Sequence, residues 1–492
     1  MGVPHVVVVG AGMGGLSAAI ALAARGFRVT VYEKLDRPGG KMGEVRLGGF
    51  RWDTGPSVIT MRFVYEWLFA LAGRRLEDYV ELLPLEPLTR YFWRDGMVLD
   101  ATADVAEMQR RIAARFGEDE GQRYRRFVEY TQRLYEVVRE PFLFRHKPTF
   151  RDLFRLPLVD VLKIDALRSM HHAVRAHFRS PHLVQLFDRF ATYNGSSPYL
   201  APATLNVIAF VEMVQGAWYP RGGVFQLARA FEQLAGSLGV ELCYGTAVEQ
   251  IVVREGRAVG VVLQGGRFVP ADAVVCNADY VFARQTLLPS GSALRHLSEP
   301  SCSGFVLLMG VRGQFAQLAH HNVFFGRDYA REFSDIFAYH LPPAEPTIYL
   351  CVTSKTDLDH APHGFENWFV LVNVPSLLSA FSWSRHADSY AELVKRCLCE
   401  WIVQISGKSP EIVVEQQWTP LDLQRMFGGY LGSIYGFSSN TRLAAFARPG
   451  NRDPNIRRLY FAGGSVHPGG GVPLVTLSGM AAARCVAEDV EC

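Results

Sequence analysis

Hydrophobic and polar positions follow two different periods along this chain, and each change of period marks a new part of it. Val6–Val9 is an apolar block with no polar gap, the pattern of a strand buried on both faces of a parallel sheet. Glycines interrupt it at Gly10, Gly12 and Gly15, and the small residues Ser17 to Ala24 predict a closely packed helix. A second strand, RVTVYE, ends in Glu33. From residue 60 to about 215 apolar positions fall three and four apart, as in VYEWLFALAG and YRRFVEYTQRLYEVV, which predicts mainly helix. After Trp218 the pattern predicts a helix over 224–236, a strand at VELCYG, a hairpin of alternating valines and a strand at ADAVVCNAD. RRLYFAGG then reads as a strand ending in a tight turn, and Val472-Pro473 opens a last helix with proline at a first helical position.

The first of these units carries chemistry. Strand, G-x-G-x-x-G, helix and an acid about 20 residues further on make a dinucleotide fingerprint. Gly10 makes the turn, Gly12 lets backbone N–H groups approach a pyrophosphate, and Gly15 lets helix and strand pack closely. The helix start faces the phosphates with its positive dipole end, and Glu33 is placed to accept from an adenosine ribose. Just beyond it, DRPGGKM bends at Gly39-Gly40 back toward the nucleotide and brings Lys41 near the phosphates, unless Lys41 is a solvated surface charge. A nicotinamide domain does not need this second return, so FAD is the expected cofactor. Val248, in the hairpin, either presents its backbone to the adenine or is a core strand residue.

Composition narrows the remaining classes. A chain of 492 residues exceeds one core, so several lobes are expected. The net charge of +3 and the lack of a long basic run argue against nucleic acid. Residues 139–179 are the local exception, with nine Lys or Arg against four Asp or Glu and interleaved phenylalanines. That mixture fits peripheral docking on an anionic membrane surface, or a solvated basic face over a core. Neither a secretory signal nor a spanning helix is expected, and eight cysteines without metal-ligand spacing read as reduced thiols of a cytoplasmic protein. The adjacent pairs His171-His172 and His320-His321 do not share a helix face, so no metal centre is expected.

The stretches VVVVGAGMGGLSAAIALA, RPGGK, DTGPS, RFATYNGSSPYLAPATL, WYPRGG, GSIYG and LYFAGGSVHPGGGVPL run from end to end of the chain. Together they resemble the bacterial-type phytoene desaturase family, the FAD-dependent carotenoid desaturases, isomerases and oxygenases. The resemblance implies an α/β, Rossmann-like FAD domain with an inserted mixed-sheet substrate domain and a helical, membrane-facing region. The corresponding division is 1–95, 218–290 and 426–492 for the FAD domain, 96–217 for the helical region and 291–425 for the substrate domain. The resemblance places the turn at Gly463 and Gly464 beside the flavin, and Val472 and Pro473 at a helix start facing its pyrimidine side. His467 is the one titratable group in that loop, either bracing it or handling a proton. The implied activity is desaturation of a hydrophobic polyene by hydride transfer from an allylic C–H. A carotenoid oxygenase, a flavin amine oxidase and a non-enzymatic lipid carrier are the alternatives.

Overall fold

The computed structural model describes residues 2–144, 147, 163–289, 299–442 and 444–490. Five parallel strands form the sheet the amino-terminal pattern predicts, in the order Leu459–Phe461, Ala273–Cys276, His5–Val9, Arg28–Tyr32, Glu241–Cys243. His5–Val9 lies in the middle, with Val7 opposite Val274 on one side and Thr30 on the other. Its valines do not alternate with polar residues because both faces are covered. Val6 and Val8 pack into a core shared with the helix Met13–Ala23 and the carboxyl-terminal helix Val472–Val490. Val7 and Val9 face Ile251, Val261 and Leu263 of a three-stranded antiparallel sheet.

The two helices on the first face approach closely because small residues meet. A Cβ added at Gly479 would lie 2.3 Å from the Gly14 carbonyl and 2.6 Å from Ser17 Cβ. This explains the run of Ala, Ser and Gly in the first helix better than helix propensity does. The helix Phe225–Ser237 joins the same core through Leu227, Phe231 and Leu234.

The second layer is a seven-stranded mixed sheet in the order Glu411–Trp418, Ser303–Arg312, Phe365–Val374, Ile348–Cys351, His321–Phe324, Thr89–Phe92, Val98–Ala101. Its last two strands correct the helical reading of 60–215. Thr89–Phe92 pairs parallel with His321–Phe324, so this segment of the 1–95 unit belongs to the larger sheet. The local signal was Asp95-Gly96, a hairpin dipeptide, with Gly96 at φ +87°. Leu82–Pro84 forms a further short strand, against Trp218–Pro220. Helices do occupy Val105–Phe116 and Glu118–Val138. Most of the phenylalanine-rich part of 139–179 lies outside the described residues. Among the described residues no helix is long and apolar enough to cross a membrane.

Candidate functional site

One cavity of about 1210 Å³ runs from the carboxyl ends of the parallel strands to the face of the mixed sheet. It exceeds the ~300–1,000 Å³ usual for a single small ligand, and so has room for a cofactor and a long substrate. At the strand ends Gly10, Gly12, Glu33, Gly39, Gly40 and Lys41 line it. Val248 does so from the hairpin layer. The last loop contributes Gly463, Gly464, Gly471, Val472 and Pro473. Gly15 and His467 are the two sequence-selected residues that do not line it.

The glycines differ in what they do. Gly10 sits at φ +96° and donates to the Tyr32 carbonyl at 2.8 Å, turning the chain from strand to helix. Gly15 is a packing position: a Cβ there would stand 2.0 Å from the Gly10 carbonyl. Gly39 returns the second loop onto the first, donating to the Ala11 carbonyl at 2.9 Å. A Cβ at Gly40, which sits at φ +60°, would lie 3.3 Å from Gly12 Cα, so the two turns pack closely.

Glu33 is 5% exposed, and its carboxylate is already oriented. Oε2 accepts from Ala11 N at 2.6 Å and Oε1 from Leu35 N at 2.9 Å. Each oxygen keeps a lone pair for a ribose hydroxyl. Lys41 is not a solvated charge. Its Nζ donates to the Ile434 carbonyl at 2.8 Å, and burial lowers its pKa while the nearby Asp279 opposes that shift.

Several site residues carried no motif. Asn277 follows the buried strand Ala273–Cys276 and sits among the glycines. Its Nδ2 donates to the Ala462 carbonyl at 3.0 Å, and a Cβ at Gly12 would come within 2.6 Å of its Oδ1. A polar residue just past an apolar parallel strand was the available signal. Arg448 lines the cavity and donates to the carbonyls of Gly464 at 3.0 Å and Phe437 at 3.1 Å, with burial pushing its pKa down to about 10. On another wall Arg189 stands over the ring of Tyr193, whose hydroxyl donates to the buried Glu212 carboxylate. Burial raises the Glu212 pKa, against the pull of Arg189.

His467 is buried, and its main chain ties the loop together. Its N donates to the Pro449 carbonyl at 2.9 Å, and its carbonyl accepts from Ser478 Oγ at 2.7 Å and Asn451 Nδ2 at 3.1 Å.

The reading of His320-His321 as non-convergent is corrected. His320 lies at a bend just before the strand His321–Phe324, so the alternation of a regular strand does not separate the rings, whose centroids are 4.4 Å apart. Cys351 lies directly across the ladder from His321. The donor atoms of the three side chains all fall within 4.8 Å of one another. Burial pushes the His320 pKa down to about 3 and that of His321 well below its usual value, so both rings are neutral near pH 7.

FAD fits what lines this cavity: a glycine cradle that a Cβ would fill, a buried carboxylate with free lone pairs, and a helix start at Val472 beside bare glycines. Residues 13–487 match the flavin containing amine oxidoreductase family. The chain is 40% identical to a 4,4'-diapolycopene oxygenase of Methylomonas sp, over 99% of each chain. It is 38% identical to a hydroxyneurosporene desaturase of Rubrivivax gelatinosus, covering 98% of this chain and 92% of that one. Among solved structures, an oxidoreductase from Methanosarcina mazei superposes with a TM-score of 0.65 at 17% identity, covering 98% of this chain and 100% of the other. Cyclohexylamine oxidase from Brevibacterium oxydans superposes with a TM-score of 0.62 at 18% identity, over all of both chains. These two likenesses establish the fold.

Proposed function

The chain is an FAD-dependent oxidoreductase of the flavin containing amine oxidoreductase family, on its phytoene desaturase-type branch, and from that premise we propose that it oxidises a linear carotenoid. The observation that carries the substrate class is the shared cavity. The glycine-lined strand ends open into a space walled by Val58, Ile208, Val211, Phe369, Leu371 and Leu474, which suits a hydrocarbon. A small charged amine would find few counter-charges along that wall. No aromatic residue lies between Phe461 and Cys492 to stack beside the flavin, which further separates this site from an amine oxidase.

When bound, FAD supplies two-electron oxidation of the substrate. We assign its pyrophosphate to the backbone of Gly10–Gly12 and its ribose to Glu33. The hairpin at Val248 takes the adenine, and Gly463-Gly464 with the helix start at Val472 takes the ring. Desaturation removes a hydride from one allylic carbon and a proton from the next, leaving a new C=C bond. On this reading the Tyr193 hydroxyl takes up the proton as its own passes to the Glu212 carboxylate that it already donates to.

A second reading has its own support. One relative with full-length coverage is named an oxygenase and another a desaturase, so oxygen insertion at a chain end is the alternative outcome on this scaffold. Expression in cells that make different linear carotenes, followed by pigment mass, separates the two. Loss of two hydrogens marks desaturation and gain of oxygen marks oxygenation. Unchanged pigments with every linear carotene, in cells whose protein holds flavin, would overturn the substrate class.

We also propose that the protein docks peripherally on a membrane to draw in its substrate. Leu167 both lines the cavity and is 74% exposed, so the cavity reaches the surface there. Trp67, 43% exposed, packs on Phe144 at a ring separation of 5.2 Å, next to the cavity wall at Leu143. An apolar rim around the mouth of an apolar cavity suits a lipid surface, and Phe144 and Leu167 belong to the basic stretch 139–179 of the sequence.

A further inference from the structure

Behind the cavity wall, two imidazoles and a thiol converge, each ring with one nitrogen left unpaired. His320 and His321 are 5% and 0% exposed, and Cys351 is 1% exposed. His320 Nδ1 is hydrogen-bonded to Thr356 Oγ1 at 2.6 Å, and His321 Nδ1 to Tyr349 Oη at 2.8 Å. The Nε2 atoms of both rings are buried and have no hydrogen-bond partner. A buried polar atom left unpaired is destabilising, and two of them within one small cluster call for an occupant.

We propose that His320 Nε2, His321 Nε2 and Cys351 Sγ bind a thiophilic divalent cation, with Zn²⁺ as the fitting ion. Three observations carry this. Two imidazole nitrogens with a cysteine sulfur is the donor set that borderline-soft cations take, and a hard cation such as Mg²⁺ does not. Each ring's other nitrogen is fixed by a hydroxyl, the outer-shell bond that sets ring orientation at metal sites. The spacing is also right. One ring nitrogen from each histidine and Cys351 Sγ lie within 4.8 Å of one another, close enough for the three side chains to converge on one ion.

Metal binding releases the Cys351 proton, so a dication and a thiolate leave one net positive charge. Tyr219 packs against the His320 ring at 4.5 Å, and its hydroxyl donates at 2.6 Å to Asp53, a buried carboxylate already paired with Arg51 at 2.7 Å. The cation would tie the strand His321–Phe324 to Ile348–Cys351. It would thereby hold Tyr349, which lines the cavity and bonds Ser57 Oγ at 2.6 Å. The role is structural, since the three ligands lie behind the wall and not on it.

The test uses untagged, flavin-loaded protein from cells grown with added Co²⁺ or Zn²⁺, because a site this buried fills during folding. Elemental analysis after gel filtration should give one ion per chain. The cobalt form should show ligand-field bands at wavelengths beyond the flavin's absorption, with a geometry-sensitive pattern that changes in Cys351→Ser. Cys351→Ala and His321→Gln should each lower retained metal at least tenfold, with flavin content kept. Protein that is folded and flavin-loaded yet holds under a tenth of an ion per chain in both media overturns the proposal, and a buried water then bridges the two rings. Metal retained equally in the wild type, Cys351→Ala and His321→Gln overturns it as well.

Discussion

Asn277 and Ala462, 185 residues apart in sequence, are joined by a 3.0 Å hydrogen bond from the Asn277 amide to the Ala462 carbonyl. The bond ties the ends of two neighbouring parallel strands together directly behind the glycine turn. Added Cβ atoms at Gly12, Gly14 and Gly463 would each approach that amide to 2.6–2.8 Å. The glycines of the fingerprint therefore accommodate Asn277 as well as a pyrophosphate. Asn277→Ala should cost about 1–3 kcal/mol of stability, because the buried carbonyl loses its donor. Gly12→Ala should destabilise flavin-free protein through Asn277 and be partly relieved in the Gly12→Ala/Asn277→Ala double variant. Both should lose FAD on gel filtration. Urea midpoints of the flavin-free forms measure the coupling, and additive costs would show that the two residues do not collide.

Gly470 and Gly471 make different demands. Gly471 sits at φ +103° with open space around it, so any side chain there is strained by the backbone alone. At Gly470 an added Cβ would press on Tyr435 Cδ1 at 3.0 Å, a contact the ring relieves by a small shift. Gly471→Val should therefore lose most of its activity, and Gly470→Ala much less. The fold should survive both, since Leu477 and Ala481 anchor the last helix separately. Turnover and thermal midpoints measured side by side check the order.

Asn451 is the hub of the last loop. Its Nδ2 lies 3.1 Å from the carbonyls of Phe461 and His467 and 3.1 Å from Ser478 Oγ. Asn451→Ala should lower thermal stability more than His467→Ala, which leaves the loop's main-chain bonds in place. In His467→Ala, turnover should track FAD occupancy across pH. A drop of ~10²-fold at full occupancy, with loss of a limb of the pH profile, would make His467 a proton carrier instead.

Glu332 gives a pH dependence of known sign. Burial raises its pKa to about 7 from 4.5, although Thr347 donates to its Oε2 from both N and Oγ1. A raised carboxyl pKa means that the folded state binds the proton more tightly than the unfolded state. Its contribution is complete below pH 4.5 and is lost as pH rises toward 7, about 3 kcal/mol in total. Glu332→Gln, which keeps the acceptor and removes the titration, should flatten the pH dependence of the denaturation midpoint over this range. An unchanged slope would show that Glu332 does not titrate there.

Membrane docking is checked with liposomes. Binding should rise with anionic lipid and fall in high salt, because each basic residue near the surface contributes roughly 1 kcal/mol that salt screens. Replacing Arg145, Lys147 and Arg151 by Gln should remove the salt-dependent part. Trp67→Ser should weaken what remains. Equal binding to neutral and anionic vesicles would eliminate the electrostatic contribution.

Residues close in sequence settled the amino-terminal half of the site. The gapless valines, the glycine spacing and the acid at Glu33 each act through a local constraint: a strand buried on two faces, a turn at positive φ, a carboxylate at a strand end. The bare glycines near the carboxyl terminus are legible for the same reason, since a missing Cβ is a property of one residue. Tertiary pairing decided the rest. Thr89–Phe92 joins the seven-stranded sheet because His321–Phe324 offers it an edge. Lys41 is drawn to the Ile434 carbonyl across the cavity, and Asn277 to Ala462. His320 and His321 look wrongly placed for a shared ligand until a bend turns one ring and the facing strand supplies Cys351. These contacts depend on which distant backbone lies alongside, and periodicity within a single segment holds no information about that.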